Sequence, residues 1–568
     1  MFLSNRYSQR INSPWFVLIV VSLPVFIGAL DLTIISAVLP DVIIGLELPV
    51  KEYLDQASWA VNGYLLAYAI SMTFTGRLSD LFGRRAIYIA CLVIFMIGSY
   101  LVTAYDSALL NSWLSRFYRQ VLGLHPPRQA ERYLYLVIVG RVVQAFGAGA
   151  MVPVTIALVG DLFLPHERAK PLGVVGAVDT MGWVLGHLYG GVMVRLFGEY
   201  GSQIVDVFKS VGVAVATPSW ETLFILNIPI SLLALLGAWW VLRNVQQPRS
   251  TGRFDLLGTL CITLALIGLN LGLGQSRIGQ FGSSIEDLKN TATGYGPYFL
   301  TGAAVAFVGF ILIESRVKYP LLRLAMFRGR NLSAASLANL LVGFCLAIGL
   351  VSAPLLVNFR MKEATNAGIQ NAALIAGLLL SGLTVPMAMA AIPGGWLSDR
   401  YGYRVPTVLG LGLASAGFAM TGLLWRSNTP YAIMGAQMAV IGIGLGLTIS
   451  PIGTAALNDV DEHERGVASA LILMLRLVGM TVAISWLTVY SLDRFDTLQA
   501  RYAVTTMTNL EDMLLATQRA NQRAVVDVVN ELQLVGAVVS GIALVFALFL
   551  HGGRSHPARA DAQPSAAR

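Results

Sequence analysis

A ten-residue stretch occurs twice in this chain, as Gly76-Arg77-Leu78-Ser79-Asp80-Leu81-Phe82-Gly83-Arg84-Arg85 and as Gly395-Trp396-Leu397-Ser398-Asp399-Arg400-Tyr401-Gly402-Tyr403-Arg404. The copies lie 319 residues apart, and each is flanked on both sides by an apolar run of spanning length. A polar hairpin held between two such runs must turn at a membrane surface, because the runs themselves belong in hydrocarbon. The chain is therefore read as two related halves that share a hairpin.

Further matches sharpen the repeat. His166-Glu167-Arg168 returns as His463-Glu464-Arg465, and Gly147 and Gly149 return as Gly444 and Gly446, now at a spacing of 297, with Pro153 and Pro451 at 298. The spacing drops by 22, so the first half holds about that many extra residues after its hairpin, and the polar stretch 105–132 is the place for them. Repeats of this kind characterise secondary transporters, whose substrate site lies where the halves meet near the bilayer midplane.

Of 568 residues, 56% are hydrophobic and 12% charged, with a mean hydropathy of +0.68. That composition places the chain in a membrane. Fourteen apolar runs of about 20 residues are expected to cross it, centred near 26, 67, 95, 146, 183, 232, 265, 306, 346, 382, 415, 443, 479 and 541. An even number puts both termini on one side. The positive-inside rule makes that side cytoplasmic, since Lys and Arg are denser in the segments on the amino-terminal side. The net charge of +8 then reports topology, and no basic patch interleaved with aromatics outside the spans suggests nucleic acid. Cys91, Cys261 and Cys345 all fall in apolar runs, and no Cys or His pair has metal-ligand spacing. No nucleophile triad or phosphate loop is present, which argues against an enzyme.

The expected fold is all-α and integral to the membrane, with two pseudo-symmetric six-helix bundles plus two extra helices. The bundles are expected at 1–243 and 331–551. The linker and extra helices occupy 244–330, outer insertions 105–132 and 491–530, and a short cytoplasmic tail 552–568. The first insertion, with Trp113, Phe117, Tyr118 and a Pro126-Pro127 break, reads as a short amphipathic helix on the membrane surface. The second reads as a long amphipathic insertion feeding the last span.

Ionisable residues inside spans are costly and mark function by default. Asp31 lies within the first span, ahead of Pro40. Arg141 and Gln144 lie three apart on one face of the fourth span, and the repeat puts Met438 where Arg141 would map. The fifth span carries Asp179, Trp183, His187 and Tyr189 among glycines, and Asp179 maps onto Arg476 at the spacing of 297. Asp31, Arg141, Asp179, His187 and Arg476 are the proton-coupling candidates. Gln144, Trp183, Tyr189 and Asn227 are the expected cavity residues. Gly76, Asp80, Gly83, Arg84 and Arg85, with Gly395, Asp399 and Arg404 of the second copy, form the gating motif.

On these residues the chain resembles the major facilitator superfamily, and within it the fourteen-span drug:proton antiporter family. The hairpin from Gly76 to Arg85 matches the superfamily's inner-loop motif, Leu30-Asp31 with Pro40 a first-span motif, and Gly140-Arg141 with Gln144 and Gly147 a fourth-span motif. Phe254-Asp255 with Gly258 resembles the opening of the extra pair. The resemblance implies that Asp80 and Arg84 dock on the start of span thirteen near Gly466, and that Arg141 takes part in proton coupling. Span five departs from the antiporter pattern Gly-Pro-x-x-Gly-Gly, having Gly186-His187-Leu188-Tyr189-Gly190-Gly191. Trp220-Glu221-Thr222 likewise departs from the Trp-Arg-Trp that often opens span six.

The expected function is a proton-coupled transporter of the cytoplasmic membrane that exports hydrophobic or amphipathic small molecules by alternating access. It would use protons and no cofactor, act as a monomer, and have the bilayer and a lipophilic or lipid substrate as partners. The alternatives are a lipid or lysolipid exporter of the same fold and a transport-inactive membrane sensor.

Overall fold

A computed structural model describes residues 13–49, 53, 56–121, 123–210, 217–245, 252–273, 295–360, 366–502 and 510–552. Among these, every long element is helical. The first bundle contains α1 (Pro14–Gly45), α2 (Trp59–Phe82), α3 (Arg84–Thr103), the short α4 (Ala108–Gln120), α5 (Gln129–Leu162), α6 (Ala169–Ser210) and α7 (Trp220–Val241). The extra pair is α8 (Leu256–Gly272) and α9 (Gly296–Glu314). The second bundle contains α10 (Arg330–Arg360), α11 (Asn366–Tyr401), α12 (Arg404–Leu424), α13 (Tyr431–Asn458), α14 (Arg465–Tyr502) and α15 (Leu510–Ala547).

Each expected span falls on one of the fourteen long helices. Eleven spans are long and apolar enough to cross a membrane by length and composition alone. The other three helices are α2 and α6, which carry buried polar groups such as Asn62, Asp80 and Asp179, and α8, which has 17 residues. In hydrocarbon a helix satisfies its own backbone, so length and apolarity suffice to form these elements. Their ends follow local chemistry. Asp255 caps α8 by accepting from the Gly258 amide at 2.9 Å, and a Ser219/Thr222 capping box opens α7. Gly83 and Gly402 end α2 and α11 at φ +95° and +86°, a conformation a Cβ disfavours. Those are the second glycines of the repeated motif.

The bundles meet along two seams, α2 against α14 and α6 against α11. α8 packs on α9 and also touches α2, so the extra pair lies beside the first seam. Trp15 contacts Phe163 at 5.3 Å between ring centroids, and the Gly552 carbonyl accepts from the Tyr403 amide at 3.3 Å. Both ends of the described chain thus lie at the same end of the bundles as the repeated hairpins, called here the latch end.

The first insertion contains the short helix α4, with only Leu114 of its residues buried. In the second insertion α14 runs unbroken to Tyr502 and α15 begins at Leu510, so the stretch feeding the last span is helical and two spans continue past the bundle as a helical pair. Side chains bridge it. Glu531 accepts from Tyr490 at 2.8 Å and from Arg494 at 2.8 Å, Tyr502 donates to Asp527 at 2.5 Å, and Gln499 donates to Asn521 at 2.8 Å. These polar rungs flank an apolar seam that includes Phe495, Leu498, Val525 and Val529.

Candidate functional site: a latched transport cavity

At the latch end, Gly76 and Gly466 bring α2 and α14 into backbone contact: a Cβ on Gly76 would sit 2.2 Å from the Gly466 carbonyl oxygen. The approach aims Asp80 at the first turn of α14, where helix amides are free. Its Oδ1 accepts from the Gly466 amide at 3.3 Å and from Arg84 at 3.2 Å. Arg84 also donates to the Glu462 carbonyl at 3.3 Å and pairs with Asp161. Arg465, across the seam, donates to the Gly160 carbonyl at 2.9 Å and lies 3.3 Å from Asp161.

The second copy of the hairpin docks in the mirrored way. Asp399 lies beside the Ala169 and Lys170 amides at the start of α6, positions that the spacing of 297 relates to Gly466 and Val467, beside which Asp80 lies. Gly395 packs on the Ala169 carbonyl, where a Cβ would stand 2.4 Å away. Arg404 opens α12 on the surface, and Arg85 stands 5.8 Å from the Trp239 ring. Tyr403 takes the place of Arg84 and Asn458 that of Asp161, and their side chains are 2.7 Å apart. Arg168, the counterpart of Arg465, hydrogen-bonds Asn458 and the Phe163 carbonyl. Burial pushes its guanidinium down to about 10, with Arg465 adding repulsion. The sequence reading passed over Asp161 and Asn458; the signal was the spacing of 297 applied to residues just ahead of the His-Glu-Arg repeat, while Tyr403 stands in the second hairpin 319 residues from Arg84.

Deeper in the first bundle, Asp31 and Arg141 are both 0% exposed and paired. Arg141 also donates to the Asp31 carbonyl at 3.0 Å and to Gln144 Oε1 at 2.6 Å, and stacks 4.0 Å over the Tyr64 ring. Asn227 donates to the other Asp31 oxygen at 2.8 Å, and Gln144 to Ser99 at 2.9 Å. These hydrogen bonds offset much of the cost of burying the ion pair, with only the Arg141 Nε left without a partner. Gln144 and Asn227 thus spend these hydrogen bonds on Arg141, Ser99 and Asp31 within the first bundle. Tyr189 packs with the apolar cluster around Ile34 and Trp220. The structure does not place these three on the wall of the cavity described next.

The cavity itself lies between the bundles, walled by α1, α2, α6, α8, α10, α11 and α14, with Trp183 on its surface. Its wall is mainly aliphatic, and its charged feature is Asp179 of α6, whose Oδ2 lies 3.3 Å from Arg476 of α14. Arg141 therefore serves Asp31, and Asp179 has a different arginine from the opposite bundle. The extra helix α8 contributes Leu266, Leu269 and Asn270, which the sequence reading left outside the site. The side chain of His187 is outside the described residues.

The sequence model described as Major Facilitator Superfamily matches residues 21–484. This chain belongs to the major facilitator superfamily. Among solved members of that fold, it superposes on the human organic anion transporter MFSD10 with a TM-score of 0.54 at 12% identity, over 93% of this chain and 99% of the other. Among curated relatives, a triacylglyceride transporter of Mycolicibacterium smegmatis is 29% identical over 94% of this chain and 87% of its own length. A triacylglyceride transporter of Mycobacteroides abscessus is 30% identical over 84% and 82%. As a major facilitator the protein is a multi-pass membrane transporter and not an enzyme.

Proposed function

We propose that the protein moves neutral acyl lipid from the cytoplasmic membrane outward, driven by protons, with the latch end facing the cytoplasm. The observation that carries the reading is the aliphatic cavity between the bundles, which offers a drug-like cation no carboxylate free of an arginine partner. Similarity to two proteins named triacylglyceride transporters over most of their length supports the same choice. The smaller-molecule efflux reading shares the fold and the proton step but lacks that support.

The residues assign themselves to stages. With the Asp80 and Asp399 docks made, the latch end is shut and the cavity is reached from the other end. Protonating Asp179 removes the charge that holds Arg476, which loosens α6 from α14 and lets the two bundles tilt. Asp31, sealed with Arg141 inside one bundle, is the second protonation site, and its exchange changes the packing of α1 against α5 and α7. Protons and lipid would favour different tilts, and that difference couples the two flows.

The test uses proteoliposomes holding the purified protein, an imposed pH gradient, and radiolabelled trioleoylglycerol with an acceptor on the far side, run beside efflux of a cationic dye. Gradient-dependent lipid transfer without dye efflux is expected. Dye efflux with no lipid transfer overturns the reading in favour of drug export, and ligand binding with no flux of either points to a sensor.

A further inference from the structure

The polar atoms on the cavity wall are unequally provided for. The hydroxyls of Ser381, Thr384 and Thr481 donate to carbonyls of their own helices at 2.9, 2.7 and 3.0 Å, and that of Thr33 donates to the Trp183 carbonyl at 2.9 Å. Among the described wall residues, two donors and one acceptor, Asp179 Oδ1, are left over. The Asn62 amide nitrogen on α2 and the Trp183 indole nitrogen on α6 are buried with no hydrogen-bond partner, and Asn62 is only 7% exposed. A buried N–H without an acceptor costs about 1–3 kcal/mol, and buried polar groups in native proteins are rarely left so.

We infer that Asn62 and Trp183 form an ester-carbonyl subsite: their N–H groups, at the wall of an aliphatic cavity between the bundles, take the acceptor oxygens of an acyl ester. The inference rests on the lipid reading above and names the atoms that read the lipid. Two waiting donors select a ligand that brings acceptors. A triester has acceptors and no donor, so it fills both without adding an unpaired group of its own. The cavity volume, about 140 Å³, is below the roughly 300–1,000 Å³ that encloses a drug-sized ligand. In this conformation it suits the ester segment of a lipid and the adjoining methylenes, not whole acyl chains.

The test compares trioleoylglycerol with its trialkyl ether analogue, which keeps the chains and loses the carbonyls, in the proteoliposome assay. The wild type should prefer the ester by about tenfold, as expected for one or two hydrogen bonds. Asn62→Leu with Trp183→Phe should abolish that preference. Equal transfer of both lipids by the wild type overturns the inference, as does a preference that survives in the double variant, while leaving the lipid reading intact. Transfer of neither lipid by the wild type sinks the lipid reading itself. Infrared spectra of carbonyl-¹³C trioleoylglycerol bound to the wild-type protein supply a second measurement that needs no variant. The ester band should fall to lower frequency on binding, and a band unmoved from its position in hydrocarbon solvent overturns the inference.

Discussion

Asp179 and Arg476, 297 residues apart and equivalent under the internal repeat, touch each other at 3.3 Å. Two positions exchanged by a pseudo-two-fold rotation come into contact only on the rotation axis. The ion pair therefore marks the centre of the molecule, and the two charges sit in near-equivalent surroundings. Exchanging them by Asp179→Arg with Arg476→Asp should keep the thermal midpoint within a few degrees of wild type. Either single change should lower stability by about 3–5 kcal/mol, the cost of a buried charge without its partner. Thermal unfolding monitored in detergent distinguishes these outcomes; a double exchange as unstable as the singles would sink the axial interpretation.

Asp179→Asn with Arg476→Gln removes both charges and keeps the shape. Stability should be near wild type, because replacing a buried pair is far less harmful than breaking it. Gradient-driven transfer should fall at least tenfold, while downhill exchange of lipid without a gradient persists. Retained gradient dependence in this variant would move the coupling role to Asp31.

The Asp31–Arg141 pair has no such symmetry, since Met438 stands at the equivalent of Arg141. Arg141→Met should destabilise the protein by about 3–5 kcal/mol through the orphaned carboxylate. Adding Asp31→Leu should restore most of that loss, because the second bundle shows the scaffold packs a methionine there. The comparison of three melting curves checks it.

Glu531 bridges Tyr490 and Arg494 in the helical pair beyond the bundle. Glu531→Ala should speed amide hydrogen exchange in residues 490–502 and 520–531 several-fold. The partly exposed rungs give each bond a local value of about 1 kcal/mol. Exchange at the latch end should be unchanged. Unaltered exchange in the pair would show that these rungs do not hold it.

Fourteen spans, the repeated hairpins and the ionisable positions within spans were legible because hydrocarbon enforces length and apolarity and makes each buried charge conspicuous. What the sequence withheld was pairing. Asp31 and Asp179 look alike in one dimension, yet one is sealed within a bundle and the other sits between two, and only packing decides which. Gln144 and Asn227 read as cavity residues because polar side chains in spans suggest substrate contact, whereas two charged neighbours had already claimed them. Asn62 and Asn270 gave the opposite error: a single amide in a long span carries little signal until the wall it joins is known. The continuity of α14 and α15 past the bundle was not legible because polar rungs interrupt the apolar seam between them and dilute its hydropathy.

The two hairpins dock alike but are not equally strong. On one side Arg84 and Arg465 both reach Asp161; on the other, Tyr403 and Arg168 meet the neutral Asn458. An ion pair adds a Coulomb attraction that a cation bonded to a neutral amide lacks. We expect a door and not a pair of parting leaves: the α2/α14 jamb should hold as the pivot while the α6/α11 edge swings free first. Spin-label distances across the two edges would report the order, with the α6/α11 edge widening at a smaller driving force and high salt narrowing the difference between them.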